Sequence, residues 1–218
     1  MRMLGRATAA VGLATVAACG AGDVSPATVA AATTAPMSCE AIASLVLPET
    51  TITLAEALPA GPFTPPGANQ PVELPAFCRV AATTEPAINF EVWLPAEDWN
   101  GKFHTAGNGG MAGVISYGAM AGALNRGYAT ASTDTGHVRP GAGGFDASWA
   151  LNRPDLIEDF GHRSLHRTAV NGKAITEALY GAPPNYAYYV GCSKGGQQGM
   201  MEAQRYPEDF DGLVVGDP

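Results

Sequence analysis

The run Tyr186-Ala187-Tyr188-Tyr189-Val190 leads into Gly191-Cys192-Ser193-Lys194-Gly195-Gly196, and the segment from Gly199 to Arg205 follows. The first run is apolar and aromatic and reads as a buried strand, and the last reads as a helix. The segment therefore predicts a strand, a glycine-flanked serine and a helix. A turn that sharp leaves no room for side chains two residues before and two residues after the serine, and Gly191 and Gly195 meet that demand. The serine is pushed to the carboxyl end of the sheet with its hydroxyl exposed, and the next N–H is free to bind an oxyanion. Ser193 is the candidate nucleophile, and a tight structural turn is the alternative reading of so short a match.

The flanking chain suits such a turn. Ile88 to Leu94 alternates apolar and polar residues and predicts a strand with one covered face, and Asp98-Trp99-Asn100-Gly101 predicts a turn. Lys102 to Ala106 reads as a short strand ending in Gly107-Asn108-Gly109-Gly110, followed by a helix from Val114 to Asn125 that Gly127 terminates. Tyr128 to Thr133 is a further buried strand. Ser164 to Tyr180 is a helix capped by Gly181 and stopped by Pro183-Pro184, and Leu213-Val214-Val215 is a last short strand. Strands alternating with helices predict a mostly parallel sheet covered on both faces, an α/β architecture. Ligands bind such sheets beyond the carboxyl ends of the strands, where the Gly107 loop, the Asp134 loop and Ser193 all fall.

The Gly107 loop supplies the complement to a serine nucleophile. Acyl transfer builds negative charge on a carbonyl oxygen, and a loop without Cβ atoms lets a main-chain N–H approach it. The oxyanion hole is assigned to the N–H of Gly109 or Gly110 together with that of Lys194, and Asn108 is expected to hold the loop through side-chain bonds to backbone. Asp134 and His137 follow a buried strand, so both side chains could face the cleft or brace the loop, and bracing is the reading favoured. His162 and His166, four apart, have a metal-ligand spacing but lack the Glu of a zincin and a third ligand, so they are read as a satisfied surface or packing pair and no metal site is assigned.

Composition narrows the partners. Twelve Lys and Arg against 20 Asp and Glu give a formal charge of −8, which opposes binding to a phosphate backbone, so nucleic acid is not expected. Arg2 and Arg6 precede an apolar stretch from Ala7 to Ala18 of signal-peptide length, too short to span a bilayer. Residues 1–19 are expected to be an export signal. Val16-Ala17-Ala18-Cys19 is similar to a bacterial lipobox, which would make Cys19 a lipidated first residue, so the expected locations are a bacterial membrane anchored by lipid or a secreted or periplasmic state. Residues 20–37, rich in Ala, Thr and Pro, read as a linker, and 38–218 as the catalytic domain. With Cys19 lipidated, Cys39, Cys78 and Cys192 remain. A Cys39–Cys78 disulfide would staple the amino-terminal arm to the core.

Tyr189 to Gly199, continuing into Glu202-Ala203-Gln204-Arg205-Tyr206-Pro207-Glu208-Asp209-Phe210-Asp211-Gly212, resembles the tannase and feruloyl esterase family. The pattern recurs in Trp99 to Phe103, Gly107 to Gly110, Ser132 to His137 and Phe160 to His166, and covers about residues 39 to 218. The resemblance implies an exported serine esterase with an α/β-hydrolase core and an inserted lid, acting on small aromatic esters of galloyl or feruloyl type.

In α/β-hydrolases the triad order is serine, acid, histidine. His104, His137, His162 and His166 all precede Ser193, so none occupies the expected position of the base. By comparison with the family, the lid, a calcium site within it, the catalytic aspartate and the catalytic histidine would all follow Pro218. The chain is thus expected to be a portion truncated after the strand that follows the nucleophile helix, with no cofactor of its own and little activity alone. A non-catalytic surface protein is the competing reading, and a base supplied in reversed order by His137 or His166 is a further alternative. The resemblance also implies that Cys192 pairs with a cysteine beside the missing histidine.

Overall fold

The computed structural model describes residues 35–138 and 144–218. The expected signal of residues 1–19, with Cys19, lies outside the described residues, as does most of the expected linker. At the linker's end, the Met37 N–H already donates to the carbonyl of Ala178 at 2.9 Å. No helix among the described residues is long and apolar enough to cross a membrane.

The strands are β1 (Thr50–Leu58), β2 (Gly61–Phe63), β3 (Val72–Leu74), β4 (Phe77–Thr84), β5 (Ile88–Pro95), β6 (Lys102–Ala106), β7 (Ala129–Thr133), β8 (Tyr186–Cys192) and β9 (Gly212–Gly216). The helices are α1 (Tyr117–Leu124), the short α2 (Pro154–Glu158), α3 (Ser164–Tyr180) and α4 (Lys194–Arg205). A π-helical turn, Asp159–Arg163, joins α2 to α3. Seven strands form one sheet in the order β1-β4-β5-β7-β6-β8-β9, with β2 and β3 paired apart from it.

The sheet is mixed. β6, β7, β8 and β9 pair in parallel, as strand–helix alternation requires, because each return to the same edge needs a crossover helix. β1, β4 and β5 form an antiparallel ribbon joined to β7. The reversal of strand order around β6 and β7 sends α1 to one face and α3 to the other, and it brings the ends of β6 and β8 side by side.

Burial follows the strand period on both faces. Phe90, Val92 and Leu94 of β5 join Phe103, Ala131, Leu165, Ala169 and Ile175 under α3, whereas Trp93 joins Leu74, Phe77, Met120 and Leu124 under α1. The expectation of one covered face for this strand is therefore corrected. Its polar Glu91 is buried because it is fully partnered: it accepts from Arg79 Nε and Nη2 (2.9 and 2.7 Å), Trp93 Nε1 (2.8 Å) and Tyr117 Oη (2.9 Å).

α3 has the predicted ends and stops at Gly181 in the left-handed region (φ 73°). α1 starts three residues later than predicted. Ser116 N–H is taken by Ser132 Oγ (3.0 Å) and Ser116 Oγ by the carbonyl of Gly107 (2.7 Å), which fixes the preceding segment as loop.

Candidate active site

β8 and α4 meet at a single residue, Ser193, whose backbone sits at φ 57°, ψ −118°. A non-glycine residue holds such a conformation only where its surroundings over-determine it. Here the neighbours are backbone. A Cβ on Gly191 would lie 2.5 Å from the carbonyl oxygen of Gly195 and from Tyr189 Oη, and one on Gly107 would lie 2.3 Å from the same phenol. The turn and the β6 loop are thus nested with no space for side chains between them, as the spacing predicted.

Hydrogen bonds lock this nesting. Gly195 N–H donates to the carbonyl of Asn108 (2.8 Å), and Gly107 N–H donates to that of Val190 (2.9 Å). Asn108 braces its loop as expected: its Nδ2 donates to the carbonyls of Thr133 (2.8 Å) and Val114 (2.9 Å). Gln198, which the sequence reading did not single out, closes the set. Its Nε2 donates to Asn108 Oδ1 (2.9 Å), and its Oε1 accepts from Asn108 N–H (3.0 Å). The available signal was its position one helical turn past Lys194, on the face of α4 turned toward the sheet.

The Asn108 N–H is thereby consumed, whereas the N–H groups of Gly109 and Gly110 meet no acceptor among the described residues. Lys194 opens α4, where the first N–H groups have no intrahelical partner. Gly110, Ser193 and Lys194 line one open cleft of about 380 Å³ with Met111, Phe145, Phe160, Gln197, Asp217 and Pro218. A hydroxyl beside main-chain donors and aromatic walls is an arrangement suited to acyl transfer.

Asp134 braces its loop. Its carboxylate accepts from Asn89 N–H (3.0 Å), Asn89 Nδ2 (2.7 Å) and Gly136 N–H (2.9 Å), while burial pushes its pKa up to about 6. His137 is occupied at both nitrogens. Nε2 lies 2.8 Å from the carbonyl of Met111, which fixes it as the donor, and Nδ1 faces Thr135 Oγ1 at 3.4 Å. The ring stacks on Trp149 at 3.8 Å. Burial lowers its pKa.

His162 and His166 form the expected packing pair, both on Tyr206. His162 Nδ1 lies 2.8 Å from Tyr206 Oη, and the His166 ring stacks on it at 3.9 Å. His166, Glu202 and Asp209 lie within 4.8 Å of one another, and the cation beside them is Lys173, whose Nζ is 3.6 Å from Asp209 Oδ1. Among the described residues no histidine nitrogen lies within hydrogen-bond distance of the Ser193 hydroxyl: His137 Nε2 faces the Met111 carbonyl, and His166 Nδ1 lies 2.6 Å from Asp209 Oδ2.

Cys39 and Cys78 form a disulfide with Cα atoms 5.6 Å apart, tying the Glu40–Ser44 turn to β4. Cys192 is a free, exposed thiol with Sγ 3.8 Å from Asp217 Oδ2.

A strained serine between a parallel strand and a helix, at the reversal of a mixed sheet covered on both faces, defines the α/β-hydrolase class. The family model described as "Tannase and feruloyl esterase" matches residues 72–218, and the chain belongs to that family. It is 43% identical over 188 residues to an uncharacterized esterase of Xanthomonas campestris, covering 84% of this chain and 32% of the relative. It is 43% identical over 169 residues to a probable feruloyl esterase of Arthroderma benhamiae, covering 72% of this chain and 31% of the relative. The structure of feruloyl esterase B from Aspergillus oryzae superposes with a TM-score of 0.72 at 37% identity, covering 82% of this chain and 36% of that one. The chain spans about a third of the length of these relatives.

Proposed function

We propose that this chain carries the nucleophile and oxyanion hole of a carboxylic-ester hydrolase acting on small aromatic esters of galloyl or feruloyl type. The observation that carries the reading is Ser193 at positive φ on the β8–α4 junction, bonded through Gly195 to the Gly107–Gly110 loop. In this reading Ser193 Oγ attacks the ester carbonyl while a base takes its proton. The oxyanion is held by the N–H of Lys194 and that of Gly109 or Gly110. The leaving alcohol departs with a proton, and water then releases the acid from the acyl-serine. The aromatic walls Phe145 and Phe160, and the printed names of the relatives, support an aromatic acyl group.

The base and acid are assigned to polypeptide outside these 218 residues, because His137 Nε2 and His166 Nδ1 are taken by other partners and no described histidine nitrogen reaches Ser193. The calcium that the family resemblance implies is assigned there too. His166, Glu202 and Asp209 do not suit calcium, which takes oxygen ligands, since a histidine nitrogen and the Lys173 ammonium share that cluster. Export, with Cys19 as lipid anchor, rests on the amino-terminal pattern and agrees with the Cys39–Cys78 disulfide.

The test compares the 218-residue chain with a chain extended by the sequence downstream in its gene, on methyl ferulate and methyl gallate. The extended chain is expected to turn over, Ser193→Ala to lower its rate by roughly a thousandfold or more, and the 218-residue chain to be inert. An extended chain indifferent to Ser193→Ala overturns the nucleophile. Ser193-dependent turnover by the short chain overturns the external base. For the anchor, Cys19→Ala is expected to release the protein from membranes, and an unchanged membrane fraction would remove it.

A further inference from the structure

Chemistry asks only for the main-chain N–H of the residue after a nucleophilic serine, so its side chain is free to extend into solvent. Lysine, among the residues least often buried, would be expected to do so. Lys194 instead folds back and is only 8% exposed. Its Nζ donates to the carbonyl of Phe160 (2.8 Å) and to Gln197 Oε1 (2.6 Å), and it sits 3.3 Å from the centre of the Phe160 ring. Each of the three ammonium N–H groups thus has a partner.

The carbonyl is available for a structural reason. In the π-helical turn Asp159–Arg163, the Ser164 N–H bonds to the carbonyl of Asp159, one residue further back than in an α-helix. The usual α-helical donor to Phe160 is thereby diverted, and Lys194 takes its place.

From Phe160 the contacts continue to the other half of the site. The Phe160 ring packs on Trp149 (5.1 Å) and His137 (6.0 Å), His137 stacks on Trp149, and His137 Nε2 donates to the carbonyl of Met111, the residue after Gly110. We propose that the Lys194 side chain is a positioning residue, which holds the N–H of Lys194 and the Gly109–Gly110 loop at fixed separation through Phe160, Trp149 and His137. The proposal rests on the oxyanion hole assigned above. The backbone bond from Gly195 to Asn108 braces the two halves from beneath, and the lysine path braces them from the cleft side. Burial of the ammonium, which lowers its pKa to about 8, is a cost that its three partners offset.

The experiment uses the extended, active polypeptide. Lys194→Met keeps the length and apolar stem but removes every Nζ contact. It is expected to lower kcat roughly 10- to 100-fold, less than the loss of a donor itself, with KM within about twofold. Affinity for a trifluoromethyl ketone that forms a tetrahedral oxyanion should fall by the same factor, while affinity for ferulate is retained. Lys194→Arg, whose guanidinium can donate to the same carbonyl and stack on the same ring, should recover part of kcat. A Lys194→Met enzyme with unchanged kcat, or with only KM altered, overturns the proposal. Should Lys194→Met not fold, Trp149→Leu leaves Lys194 and Phe160 in place and removes the ring that joins Phe160 to His137. It is expected to lower kcat at constant KM, and an unchanged kcat there is equally decisive. Failure of the parent reading looks different, because Ser193→Ala would then remain active.

Discussion

Tyr189 and Gly195 face each other across the elbow, the phenol of the first donating to the carbonyl of the second at 2.7 Å. The ring is fully buried against Phe210, so this bond is made out of water and within the turn that strains Ser193. Tyr189→Phe leaves the Gly195 carbonyl without that donor and should cost about 1–3 kcal/mol in urea unfolding. Gly191→Ala, which drives a methyl into the same phenol and into backbone, should cost at least as much. A Tyr189→Phe protein as stable as the parent would show that the bond contributes nothing.

Glu202 is 1% exposed, and neither carboxyl oxygen has a hydrogen-bond partner among the described residues. Burial and then the charge of Asp209 raise its pKa, while Lys173 opposes the shift. Since the folded value lies above the unfolded one, its contribution to stability is full below the ordinary carboxyl range and is lost as pH rises through the raised value. Glu202→Gln, neutral throughout, should therefore gain on the parent as pH increases, by several degrees of Tm between pH 5 and 9. Parallel Tm curves for the two proteins would refute the assignment.

His104 sits on β6 with Nδ1 3.0 Å from Thr130 Oγ1, and burial lowers its pKa to about 4. The unfolded chain takes up this proton first as pH falls. The stability it contributes is thus complete above the ordinary histidine value near 6.5 and is lost toward pH 4, by at most roughly 3 kcal/mol. The pH dependence of unfolding in His104→Gln should lack that component, as chemical denaturation at pH 7, 5.5 and 4.5 would reveal.

The Cys39–Cys78 bridge closes a 39-residue separation. Replacing both cysteines by Ala should cost about 2–4 kcal/mol, mostly by freeing the unfolded chain. Without reduction, mass spectrometry should recover the two cysteine peptides as one species. Recovery of both as alkylated free thiols would contradict the bridge.

The parallel half of the sheet was legible because each of its elements announces itself locally. β6, β8, β9 and α3 are short apolar runs or a capped amphipathic helix bounded by glycine and proline, and the elbow glycines state a steric demand. Of the antiparallel ribbon only β5 was, from its apolar alternation. β1 is a run mostly of Thr, Ala and Leu that pairs with β4 across an intervening segment holding two other strands, and the burial of Glu91 depends on Arg79, Trp93 and Tyr117 from three elements. In the site, Ser193 and the glycine loop could be read from spacing. Gln198 and the folded-back Lys194 could not, because a polar residue on a helix gives no sign of turning inward until its partners are placed around it.

The nesting of Gly107, Gly191 and Gly195 divides labour within the molecule. Backbone packed against backbone cannot be adjusted one residue at a time, so Ser193 and its loop can change only together. Phe145 also borders the cleft but takes no part in that nesting. Substitutions at the cleft wall therefore leave the elbow undisturbed, whereas selection acting on the elbow would see a cliff rather than a slope.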